Sequence, residues 1–87
     1  MYHIEGRRWF QRGPGNTYHS VRIYRDGQPI AHLPYQYGYG DQFLQTALDW
    51  MKEHGHAPSD AQYGTQYLRE VLHSSYSVSD VGRKSDL

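Results

Sequence analysis

Apolar and polar positions change rhythm near residue 40. Before that point they alternate. "HIEGRRWFQR" is an extended run that stops at Arg12-Gly13-Pro14-Gly15-Asn16, a cluster suited only to a turn or loop. In "TYHSVRIYR", Val21 and Ile23 fall on one side and Tyr18, Ser20, Arg22 and Tyr24 on the other, the period of a half-buried strand. Asp26-Gly27 then signals a hairpin, because the primed turn needs positive φ at both central positions. "QPIAHLPY" makes the returning strand, with Pro29 early in it, where a missing N–H is tolerated. With Asp26 and Gly27 as the loop, Ile23 is expected opposite Ile30 and Val21 opposite His32.

After Gly40 the period becomes helical. Phe43, Leu44, Ala47, Leu48 and Met51 form one apolar stripe behind a cap at Asp41, with Trp50 at its margin and Gly55 as the stop. Ser59-Asp60-Ala61-Gln62 has the form of a capping box. The helix it opens is expected to turn Ala61, Leu68, Val71 and Leu72 inward, with Gly64 as a weak point costing about 1 kcal/mol relative to alanine. "SYSVSDV" alternates again and predicts a last strand, and "GRKSDL", residues 82–87, reads as a frayed tail. The expectation is a single α+β domain over residues 1–87. It is a small two-layer fold in the order β-β-β-α-α-β, an antiparallel meander with two helices packed on one face.

A chain of 87 residues buries a modest fraction of its surface, and with no cysteine it has no disulfide or Cys-based metal site to help. A homo-oligomer is the expected source of further burial. No stretch is long and apolar enough for a transmembrane helix, and the N-terminus lacks a signal-peptide layout, which favours an intracellular protein with no membrane partner. Net charge is zero but unevenly spread: residues 1–25 carry five arginines against Glu5, whereas residues 26–60 carry Lys52 against five acids. Arginine's planar fork suits phosphates, carboxylates and aromatic faces. The same asymmetry also fits a dipolar surface that pairs with its own acidic helix or a second subunit.

The candidate chemistry lies at the change of rhythm. "PYQYGYGDQFL" places Tyr35, Tyr37 and Tyr39 around Gly38 and Gly40 at a helix start. Tyrosine faces can stack on bases, glycines allow close backbone approach, and the arginines could neutralise phosphate. The ligand-binding candidates are Arg7, Arg8, Trp9, Tyr37, Gly38, Tyr39 and Gly40, facing an anionic, nucleotide-like small molecule. Against this, no named phosphate fingerprint is present, a carboxylate at Asp41 would fill the helix-start amides, and the tyrosines equally fit a structural corner cluster. Trp9 and Phe10 point to opposite faces of a strand, so one is expected in the core and the other exposed or covered by a partner. His54 with His56, and His19 with His32 on one hairpin face, lack the spacing and third ligand of a metal site. No nucleophile, base or cofactor motif stands out, so no metal, no cofactor and no enzyme is expected.

The runs "GRRWFQRGPGNTYHSVRIYRDGQPI", "PYQYGYGDQFLQTA" and "VSDVGRKSDL" resemble a family of small uncharacterised proteins encoded by tailed bacteriophages. The resemblance implies a non-enzymatic accessory binding protein in the cytoplasm of the bacterial host. Such a protein could sequester a nucleotide signal of host immunity; the alternatives are a protein–protein inhibitor of a host factor and a single-stranded nucleic-acid binder.

Overall fold

The computed structural model describes residues 1–87. Three consecutive strands come first: β1 (Tyr2–Gln11), β2 (Asn16–Arg25) and β3 (Gln28–Tyr37). They are followed by α1 (Gln42–Glu53), a short α2 (Gly64–Gln66) that runs into a π-helical turn (Tyr67–Val71), and β4 (Ser75–Val81). Both hairpins form at the expected turns. Asp26 and Gly27 adopt φ of 51° and 81°, the left-handed pair that a two-residue primed turn needs.

The sheet is α+β as expected but mixed in sense, which corrects the purely antiparallel reading. Strand order is β3-β2-β1-β4, and β4 lies parallel to β1, with Ile4 opposite Tyr76 and Trp9 opposite Val81. The first and last strands of the chain are therefore neighbours. Alternation along a strand gave no sign of this, because pairing sense depends on where the helices return the chain.

The register of β3 also departs from the expectation. Ile23 faces Ala31 rather than Ile30, Val21 faces Leu33 rather than His32, and a second shift lies between His19 and Val21. Pro29 and Pro34 sit at these two irregularities. A proline supplies no ladder N–H, so on an edge strand it is accommodated by a bulge. The consequence is that Leu33 turns inward and His32 outward, and His19 and His32 do not share a face.

One face of the sheet carries the helices. Ile4, Val21 and Ile23 are fully buried beneath Phe43, Leu44, Ala47, Leu48 and Met51, the stripe predicted for α1. Removing each of these side chains other than Ala47 from water contributes about 1.5–3 kcal/mol. Phe43 lies so close to β1 that a Cβ on Gly6 would fall 2.5 Å from its ring. Gly64 is not the weak point expected: a Cβ there would stand 2.7 Å from the Cα of Gln45, so glycine is what lets α2 touch α1. Its N–H also donates to Gln45 Oε1 at 2.8 Å.

The capping box at Ser59 is not used. The helix starts at Gly64 instead, after Tyr63 in a left-handed conformation. The five-residue turn that follows, closed by Leu72 N–H to Tyr67 carbonyl at 3.1 Å, takes Val71 off the inward face. Leu68 and Ala61 are buried as expected, but Val71 is 57% exposed. No helix is long and apolar enough to cross a membrane.

Candidate functional site

Side chains alternate across the sheet, so burying Ile4, Val21 and Ile23 against the helices sends Glu5, Arg7, Trp9, Tyr18, Ser20 and Arg22 to the other side. Register then makes a row of rings. Trp9 pairs with Tyr18 and stacks on it at 6.0 Å between centroids; Tyr18 stacks in turn on Tyr35 at 4.7 Å, a bank of aromatics spanning three strands. Tyr37 meets Tyr18 edge-on at 5.6 Å and is 69% exposed.

A basic cluster lies next along the strands. Glu5 stands between Arg7 and Arg22 at 3.8 Å from each, too far for a hydrogen bond, and its buried Oε1 has no partner. One acid thus balances two guanidiniums without occupying their N–H groups. His32, opposite Arg22, has its pKa lowered, first by burial and then by the charges of Arg22 and Arg7.

Residues 82–87 lie over this face, which corrects the reading of a frayed tail. Arg7 donates to the Asp86 carbonyl at 3.0 Å and Arg22 to the Leu87 main-chain oxygen at 3.4 Å. Lys84 places its ammonium 4.5 Å from the centre of the Tyr35 ring. A 3-10 turn at Lys84–Asp86, with Arg83 and Asp86 paired at 3.4 Å, shapes the segment. Ser20 is fully buried although it faces away from the helices.

The other candidates belong to a separate cleft at the same end of the sheet, on the helix side. Arg8 donates to Asp80 at 2.9 Å and to the Gly40 carbonyl at 3.3 Å, on the floor of a shallow cleft of about 310 Å³ flanked by Phe10 and Tyr39. Phe10 is 56% exposed and Tyr39 79%. Neither Trp9 nor Phe10 enters the core, contrary to the expectation that one would, because α1 does not reach that end of β1. Gly38 lies between the two groups: its N–H donates to the Thr17 carbonyl at 3.0 Å and its φ of 140° is a glycine conformation.

His19 fixes the corner from beneath. It is buried, with Nδ1 donating to the Gly38 carbonyl at 3.1 Å and Nε2 accepting from the Thr46 hydroxyl at 2.8 Å. Burial lowers its pKa, the Gly38 hydrogen bond opposing. Asp41 occupies the cap position of α1 but its side chain makes no capping hydrogen bond, so the expected filling of those amides by its carboxylate does not occur.

The sequence candidates therefore divide. Arg7 and Trp9 share the open face, with Tyr37 at its margin, whereas Arg8, Tyr39 and Gly40 share the cleft. Sequence reasoning missed Tyr18, Arg22 and Lys84 as parts of one surface. The first hairpin held a usable signal, since a turn at residues 12–15 sets Trp9 opposite Tyr18; nothing local could place Lys84. His54 and His56 are stack partners of Trp50, at 4.2 and 5.3 Å, and no three His, Asp or Glu side chains gather in an arrangement to hold a metal. No protein-family model, curated protein or solved structure matches the chain.

Proposed function

We propose that the open sheet face binds an anionic, ring-bearing ligand of nucleotide type, and that the chain acts as a phage-type accessory protein by sequestration, without turnover. The observation carrying this reading is the juxtaposition of the Trp9–Tyr18–Tyr35 stack with Arg7 and Arg22 on the sheet face opposite α1 and α2. Aromatic faces stack on bases for about 1–3 kcal/mol each, and guanidinium forks form strong charge-assisted bonds to phosphate. The ring bank is prealigned by strand register, so little side-chain freedom is lost on binding.

The test is a thermal-shift panel of mono-, di- and cyclic nucleotides, since a ligand that binds only the folded chain raises its melting temperature. A rise that disappears in Arg22→Ala supports the reading. No rise at millimolar ligand overturns it.

The cleft favours a second reading. Phe10, Tyr39 and Arg8 lie one strand face away from Trp9 and Tyr18, so a single-stranded oligonucleotide could continue from the open face into the cleft. Oligonucleotide binding with a steep fall in affinity as salt rises would select this reading over a mononucleotide site.

A further inference from the structure

The two features that would recognise a nucleotide are already in use by the chain itself. Tyr35 closes one end of the ring stack, and Lys84 sits on it. Arg7 and Arg22 both direct N–H groups to main-chain oxygens of Asp86 and Leu87. A positive charge over a ring and carbonyl oxygens on guanidiniums reproduce, in one six-residue segment, what a stacked base and a phosphate would do.

We propose that residues 82–87 are an internal competitor for this face, and that a phosphate-bearing ligand binds by displacing them from Arg7, Arg22 and Tyr35. The inference rests on the open-face reading above and adds the regulation of that site. The segment is built to leave. None of its residues is buried, Asp86 and Leu87 alone are partly covered, and its hydrogen bonds to the sheet are the two arginine contacts. Gly82 follows the last residue of β4 with open space around its Cβ position, so no close packing at this joint adds to the two arginine contacts. Glu5 lies 3.8 Å from both guanidiniums, which balances part of their charge without tying up the N–H groups that exchange between partners.

The experiment compares the full chain, a chain ending at Val81, and Lys84→Ala in the full chain. The probe is the 5′-phosphorylated dinucleotide pApA, titrated by calorimetry, with thermal melts showing that each form is folded. The shortened chain should bind about tenfold more tightly, as for a site open roughly a tenth of the time. Lys84→Ala, which tests the idea even if the shortened chain does not fold, should shift affinity in the same direction. Saturating pApA should also speed tryptic cleavage after Arg83 and Lys84 in the full chain. Equal or weaker binding by both variants, or protection of Arg83 and Lys84 by pApA, overturns the competitor while leaving the open-face site standing. Absence of pApA binding in all three forms overturns both.

Discussion

Thr46 on α1 donates its hydroxyl proton to His19 Nε2 on β2 at 2.8 Å, and the opposite ring nitrogen of His19 donates to the Gly38 carbonyl. Burial lowers the pKa of this ring from 6.5, so its neutral form is favoured, and the neutral tautomer that donates from Nδ1 accepts at Nε2. The unfolded chain therefore takes up a proton near pH 6.5 that the folded chain resists. Stability is complete above that pH and falls as the pH drops through the window beneath it. His32 contributes in the same direction. Urea midpoints should decline from pH 7 to pH 5, and His32→Gln should retain the part of the decline due to His19. A histidine titration by NMR showing the buried ring at or above 6.5 would contradict this.

Gly6→Ala should destabilise the fold by about 1–3 kcal/mol through overpacking, because the new methyl group meets the Phe43 ring at 2.5 Å. Denaturant titration measures the loss. Pairing it with Phe43→Leu, which removes the ring's flat edge, should recover part of it, since the two residues touch and their effects are not additive.

Gly64→Ala separates two accounts by sign. Helix propensity alone predicts stabilisation of about 1 kcal/mol. The contact with α1 predicts a loss of about 1–3 kcal/mol, because the clashing atoms are the Cα and N of Gln45 and the Leu44 carbonyl, which are backbone and cannot turn aside. We expect the loss, read as a lower urea midpoint.

Tyr18→Ala should impair ligand binding more than either neighbour's replacement, since Tyr18 touches Trp9, Tyr35 and Tyr37 at once. A decrease of about 1–3 kcal/mol in binding free energy is expected, with a smaller change in the melting temperature of the free chain. A chain that binds pApA normally without this ring would place the site elsewhere, with Arg8 and Tyr39 the next residues to replace.

Much of this fold is legible in the residues themselves. The α1 stripe from Phe43 to Met51 and the Asp26-Gly27 turn each follow from a local pattern with a single physical solution. The β3 register does not, because a bulge at Pro29 depends on whether the strand lies at an edge. The start of α2 at Gly64 was hidden because Ser59 and Gln62 have the right spacing for a cap, while the close approach to Gln45 is a tertiary fact. The site shows the same division. Arg7 and Trp9 could be seen as an alternating cation and aromatic, but their separation from Arg8 and Tyr39 required the sheet's two faces to be known. Lys84 on Tyr35 joins residues far apart in the chain, which no periodicity reports.

The parallel pairing of β4 with β1 has a consequence for assembly of the native state. β1 is made well before β4, so its ladder stays incomplete until the later strand returns, and the long loop between the two must close for folding to finish. Until then β1 offers an uncovered hydrogen-bonding edge to any other extended chain nearby, and cuts that remove residues 75–81 should increase aggregation relative to the intact chain, read by light scattering.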